Sequence, residues 1–308
     1  MHRRAFLALP AAGLLASCGS TSKIRLALNW KPDPQFGGFY AAPFQEAKLD
    51  VEILPGGAGT PTVQMIGAGS AEFGVVSADE LVVARSMGND VVALFAVFQD
   101  SPQGIMVHAE RGLMAIEEVF EDGTVALQKG LPYARLLEKQ FRFDHVKIVP
   151  SPGGDITAFL ADPLFAQQCF IMSEPLQAKR AGAKVTVFPV ADVGYNPYTT
   201  VLATSGKYLK DNAATVESIV AAVRSGWRAY LANPKPTNDK MHQMNPSMDA
   251  ATFTEVAEAQ KPFIENEDTA NAGLGSMTKE RWEKLIGQLQ GLGDIPAAIP
   301  ADDCFRPV

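Results

Sequence analysis

Two aromatic residues and one carboxylate hold most of the chemistry in this 308-residue chain. The segment Leu28-Asn29-Trp30-Lys31-Pro32-Asp33-Pro34-Gln35-Phe36-Gly37-Gly38-Phe39-Tyr40-Ala41-Ala42 reads as a strand, a polar-aromatic turn and a helix start. Trp30 and Phe36 beside free helix-start amides, with Asn29 next to them, suit a flat ring with polar edges. Trp30 would equally serve as packing beneath the turn. Glu174 follows a strand and opens a helix, where the dipole favours a carboxylate. It either caps that helix or accepts charge-assisted hydrogen bonds from a ligand amino group. Tyr195, Asn196 and Tyr198 lie on an extended stretch, where they either stack on and bond a ring or simply pack. In Gly56-Gly57-Ala58-Gly59-Thr60-Pro61, Gly57 and Thr60 either offer polar groups to a ligand oxygen or close a plain tight turn. Ser77 ends the strand Phe73–Val76, with Asp79 and Glu80 placed as ligands or helix caps.

Other chemistry is thin. His2, His108, His145 and His242 are scattered without metal-ligand spacing. There is no Gly-x-Ser-x-Gly elbow, and no Lys follows the glycine-rich turn in phosphate-loop register. The reading is therefore a non-enzyme with no catalytic residue, metal or cofactor. Of the three cysteines, Cys169 reads as a buried strand residue, and Cys304 lies in a polar tail. An oxidising compartment would allow these two to pair, but sequence does not fix their geometry. The formal charge of −7 argues against nucleic acid and against an electrostatic grip on anionic lipid.

The elements that position these residues alternate. Strands are expected at 24–28, 49–54, 73–76 and 91–98, with helices at 39–47, 61–68 and 78–87 between them. The rhythm restarts with strands at 124–127, 146–149, 168–172 and 184–188 and helices at 132–140, 155–160 and 174–181. An extended stretch at 199–203 precedes helices at 213–231, 249–260 and 278–290. Such βα alternation implies mainly parallel sheets flanked by helices. Two groups, the first interrupted by the second, suggest an α/β clamshell. Residues 24–103 plus 200–308 would form lobe one and 104–199 lobe two, with crossings near 101–107 and 197–203 as the hinge. Ligands in open α/β sheets bind beyond the carboxyl ends of strands, which here face one another across a cleft.

The chain opens MHRRAFLALPAAGLLASC: a basic start, a short apolar run and a small-residue end, the layout of a secretory signal. Leu15-Ala16-Ser17-Cys18 resembles a bacterial lipobox, which implies removal of residues 1–17 and lipidation of Cys18. Residues 18–23 would then be a tether, giving a lipoprotein on the periplasmic or extracellular face of a membrane. Arg3-Arg4-Ala5-Phe6-Leu7 resembles the core of a twin-arginine export signal.

Leu28-Asn29-Trp30-Lys31-Pro32-Asp33 also resembles the opening of periplasmic binding proteins related to thiamine-pyrimidine synthases. Further pieces are similar and in the same order, from about residue 24 to 293. They are Gly67-Ala68-Gly69-Ser70-Ala71-Glu72-Phe73-Gly74, Ser101-Pro102-Gln103-Gly104, Ser173-Glu174-Pro175, Gly226-Trp227-Arg228-Ala229-Tyr230-Leu231-Ala232-Asn233-Pro234 and Met277-Thr278-Lys279-Glu280-Arg281-Trp282. The resemblance implies a periplasmic-binding-protein-like fold. It also implies a solute receptor partnered by an ABC permease and ATPase. Its ligand would be a small heterocycle, with a thiamine-precursor aminopyrimidine first, riboflavin next and alkanesulfonates further behind. A fungal branch of the family is an enzyme using its own histidine, pyridoxal phosphate and a Cys-rich iron motif. Ser77-Ala78-Asp79-Glu80 stands in place of that histidine, and Gly194-Tyr195-Asn196-Pro197-Tyr198 in place of the cysteines. The pyrimidine-forming enzyme and a non-transport sensor lipoprotein remain the alternatives. Around Glu117 to Leu127 the lysine-glycine strand entry usual in the family has no match.

Overall fold

The computed structural model describes residues 23–306, so the leader and Cys18 lie outside the described residues. The strands are β1 (Ile24–Ala27), β2 (Val51–Leu54), β3 (Phe73–Val76), β4 (Val91–Phe98), β5 (Gln103–His108), β6 (Thr124–Leu127), β7 (Lys147–Pro150), β8 (Phe165–Phe170), β9 (Val185–Pro189) and β10 (Thr199–Ser205). They form two five-stranded sheets, ordered β2-β1-β3-β10-β4 and β7-β6-β8-β5-β9. All eight residues of β4 are buried, as a continuous run of apolar residues requires when both faces of a sheet are covered.

Each sheet has four strands running one way and one reversed. β10 is antiparallel to β3 and β4, and β5 is antiparallel to β8 and β9. The reversal follows from the crossings. A chain leaving the carboxyl end of β4 at the cleft enters the other sheet from its cleft side, so β5 runs away from the cleft. β9 to β10 repeats this in the other direction. Gln103 already pairs with Phe170 in the second sheet, and Thr199 with Phe98 in the first.

The helix expected at 39–47 stops at Tyr40, because Pro43 lacks the amide needed to continue it. That short turn, Gly37–Tyr40, packs on the long helix Ala213–Ala232. A Cβ on Gly38 would fall 2.2 Å from the Trp227 ring, and one on Gly226 would fall 2.2 Å from the Gly38 carbonyl. Only glycine allows this approach, and it fixes where the Asn29–Phe36 loop begins and ends. Asn245 Nδ2 donates to Pro32 O at 2.9 Å and Gln260 Nε2 to Pro34 O at 2.9 Å, tying the loop to the late helices.

Phe36 is fully buried in the core of the first lobe, among Phe39, Phe98 and Trp227, so it supports the loop and does not face the cleft. Cys169 and Cys304 are free thiols buried in separate clusters.

Candidate ligand-binding site

The loops after β1, β7 and β8 converge. Trp30 is half-buried, with part of its ring against the first lobe's core. The far edge of that ring reaches the second lobe, where the position of a Cβ on Gly153 lies 3.3 Å from Trp30 Cη2. Gly153 has φ +64°, so a side chain there would be strained as well as crowded. At the next residue, the position of a Cβ on Gly154 lies 3.7 Å from Glu174 Oε1. The indole of one lobe and the carboxyl of the other thus lie beside consecutive glycines, Gly153 and Gly154.

Glu174 is held from behind. Its Oε2 accepts the Phe170 amide of β8 at 2.8 Å, which leaves Oε1 on the Gly154 side. Burial pushes its carboxyl up to about 7, against backbone hydrogen bonds that pull it down. Asp33 is a second carboxyl of the same kind. It caps the Pro34–Phe36 turn, accepting the Gln35 amide at 3.0 Å on Oδ1 and Gln35 Nε2 at 3.0 Å on Oδ2. Burial pushes it up to about 7 despite those bonds, and the nearby Glu174 charge adds to the rise. No lysine or arginine is among the groups that shift either carboxyl.

Three polar atoms at cleft-side strand ends are buried without a hydrogen-bond partner. They are Asn29 Oδ1 after β1, Gln103 Nε2 at the start of β5 and Thr199 Oγ1 at the start of β10. Buried polar groups normally find partners, so orphans at strand ends are informative, although others lie elsewhere, among them Gln99 Oε1, Gln167 Oε1, Gln260 Oε1 and Arg111 Nη1. Trp227 Nε1 and Trp282 Nε1 are also unpaired, but they lie in the cores. Thr200, next to Thr199, has φ +53°, an uncommon conformation for a β-branched residue and one placed on a crossing.

Several residues singled out by sequence are committed elsewhere. The Gly57 amide donates to Thr60 Oγ1 at 2.8 Å, so this pair closes its own turn and the Gly57 amide is taken. The Ser77 hydroxyl is held by Asp79, and the Ser77 amide donates to Glu80 Oε2 at 3.2 Å, which is capping. Tyr195 is 2% exposed and donates to Asp79 Oδ2 at 2.8 Å. Tyr198 is equally buried, accepts the Thr278 amide at 3.0 Å and lies under Arg281. Both tyrosines are hinge packing, and neither lines the cleft. Asp33, Gly153 and Gly154 are not singled out by the sequence. Their signals were a turn acid before proline and the strand-ending Pro150-Ser151-Pro152-Gly153-Gly154.

The lobes also meet behind the hinge, where the helix Pro132–Phe141 faces the end of the helix Lys279–Leu292. Arg135 is paired there with Asp294, whose side chain has no exposed surface. Lys139 Nζ donates to Gly291 O at 2.8 Å, and Gln288 Nε2 to Gly194 O at 2.8 Å. A separate groove of about 750 Å³ runs between Tyr40, Phe44, Leu49 and Lys240, all on the first lobe. It lies within one lobe, and Gln45, Glu46, Lys48 and Asp50 also line it. Among the described residues no cluster of His, Cys, Asp or Glu could hold a metal ion, and no helix is long and apolar enough to cross a membrane.

The NMT1/THI5-like family profile matches residues 33–237. A riboflavin-binding protein from Chloroflexus aurantiacus is 23% identical over 92% of this chain and 84% of its own. A formylaminopyrimidine-binding protein from Halalkalibacterium halodurans is 22% identical over 96% of this chain and 95% of its own. Among solved structures, the periplasmic aliphatic sulphonate-binding protein SsuA of Escherichia coli superposes with a TM-score of 0.69 at 14% identity, covering 94% of both chains. The fold is thus that of the periplasmic binding proteins, two sheets forming a two-lobed clamshell.

Proposed function

Since the chain belongs to the NMT1/THI5-like family, we propose that it is a solute-binding protein of an ABC importer, capturing an aminopyrimidine-type heterocycle between its lobes. One observation carries this reading: Trp30 of the first lobe and Glu174 Oε1 of the second lie beside the neighbouring glycines Gly153 and Gly154. An indole offers a face or edge to a flat ring. Glu174 Oε1 would accept from an exocyclic amino group of the ligand. Closure would bury the ring and fix its edges at once, giving the importer one geometry that signals occupancy. The relatives named for riboflavin and formylaminopyrimidine agree with a flat nitrogen heterocycle. An alkanesulfonate fits less well beside the Glu174 carboxyl.

The leader supports an exported lipoprotein anchored through Cys18, with the permease and ATPase as membrane partners. Mass spectrometry of the N-terminal peptide from membranes would find a diacylglyceryl group on Cys18, and Cys18→Ala would release the protein. Lysine in place of Arg3 and Arg4 would block export only if the twin-arginine route is used.

The decisive binding test is isothermal titration of the mature protein with 4-aminopyrimidine derivatives, riboflavin and alkanesulfonates. Pyrimidine binding weakened by Trp30→Ala and by Glu174→Gln is expected. Normal binding in both variants would remove the site.

A further inference from the structure

Among the described residues, two arginine–aspartate pairs join the lobes. Arg135 with Asp294 is the pair behind the hinge, and its aspartate side chain is fully buried. The other links the helix Glu174–Arg180 of the second lobe to the helix Ala250–Ala259 of the first. Arg180 Nη2 lies 2.9 Å from Asp249 Oδ1, and Arg180 Nη1 donates to Thr252 Oγ1 at 2.5 Å. We infer that Arg180 is the closing latch of the cleft, a positioning residue that holds the Glu174 helix against the first lobe and so sets how slowly a captured solute leaves. This rests on the proposed function and deepens it, since Glu174 and Arg180 are the first and last residues of one short helix.

The two sides of that helix belong to different lobes. Ala178 is buried with Met106 and Cys169 of the second lobe, whereas Leu176 and the preceding Met172 pack on the first lobe's core. The receiving end is organised in advance. Asp249 caps the helix Ala250–Ala259, its Oδ1 accepting the Ala251 and Thr252 amides at 3.0 Å each. The Thr252 hydroxyl donates to Asp249 Oδ2 at 2.8 Å, which orients its oxygen to accept from Arg180. Desolvation raises Asp249, but bonds from Thr252 and Arg180 outweigh it and hold the carboxyl down to about 2, so the pair stays charged near neutral pH. Gln260, which ends the same helix, donates to Pro34 O in the loop that carries Trp30. One helix of the first lobe therefore touches both the Trp30 loop and the Glu174 helix.

Exposure decides which of the two pairs works as a latch. Breaking the pair behind the hinge would strand a buried charge, so Arg135 and Asp294 stay joined as the cleft opens. The side chains of Arg180 and Asp249 are 36% and 59% exposed. Such a pair exchanges its partner for water at little cost, so it can form and break with each capture and release.

The test is stopped-flow binding by the mature protein, followed by tryptophan fluorescence, at about 0.05 and 0.5 M salt. The probes are 4-aminopyrimidine, riboflavin and an alkanesulfonate. For a probe that binds, Arg180→Ala and Asp249→Asn should each speed dissociation about three- to fivefold, with association within about twofold of native. Asparagine still caps the helix, so the second variant removes only the charge. The double variant should release no faster than either single one, because both remove the same pair. High salt should speed release from the native protein and leave the variants unchanged. Unchanged dissociation in both single variants, or effects that add, overturns this inference and leaves the proposed function intact. Binding of riboflavin or the sulfonate without the pyrimidine overturns the aminopyrimidine assignment, and the rates with that probe still decide the latch. Absence of binding by all three overturns both.

Discussion

The two lobes meet in two places, and the places are built on opposite principles. Behind the hinge, most polar groups are spent on one another: Arg135 on Asp294, Tyr195 on Asp79, Arg281 on the Asn196 carbonyl at 2.9 Å, with Asp294 Oδ2 left without a partner. At the cleft, Asn29 Oδ1, Gln103 Nε2 and Thr199 Oγ1 are unpaired, and Glu174 keeps one oxygen free. A seam with paired groups gains from staying shut, whereas a face with unpaired ones gains only when something else supplies partners. The comparison distinguishes structural contacts from recognition contacts without reference to residue type, since both places use aromatics and acids.

Substitutions on the two sides should separate cleanly. Trp30→Ala should cost about 2–3 kcal/mol of ligand affinity, a loss of roughly a hundredfold, while thermal unfolding moves little because the ring is half-buried. A large fall in stability with affinity kept would place Trp30 in the structural class. Arg135→Ala should do the reverse. It strands a buried Asp294 and should destabilise by about 2 kcal/mol, a figure kept below that of a fully buried pair because Arg135 is 43% exposed. Denaturant titration reads the loss, and ligand affinity should stay within about threefold.

The next test concerns pH. Asp33 and Glu174 bind protons more tightly folded than unfolded, so the stability they contribute is present below the unfolded value near 4 and is lost as pH rises towards 7. The ligand-free protein should unfold more readily at pH 8 than at pH 5. Asp33→Asn should flatten that slope and stabilise by about 1–2 kcal/mol at pH 8, as a buried charge is removed. An unchanged slope would show that these carboxyls are well solvated. Smallest is Tyr195→Phe, which removes one bond to Asp79 and should cost about 1 kcal/mol of stability with no change in binding. A binding defect there would return Tyr195 to the cleft.

Much of the fold is legible from residue order. β3, β4 and β6 fall on the apolar runs 73–76, 91–98 and 124–127, because short β-branched runs bounded by turn residues have few other solutions. Trp30 and Glu174 stand out since each directly follows a strand. Phe36, Tyr195 and Tyr198 look identical in sequence to cleft aromatics, yet they are buried. Asp33 has no reading of its own in the sequence, and only the structure shows it capping the Pro34–Phe36 turn.

Local pattern alone therefore determined most of the strands and the two βα groups, because propensity, periodicity and turn chemistry act over a few residues. The tertiary structure decided which aromatic faces the gap, which hydroxyl is already taken and which acids come together. Those outcomes depend on contacts between residues far apart in the chain, such as Trp30 with Gly153 and Asp79 with Tyr195, and on burial, which no single stretch encodes.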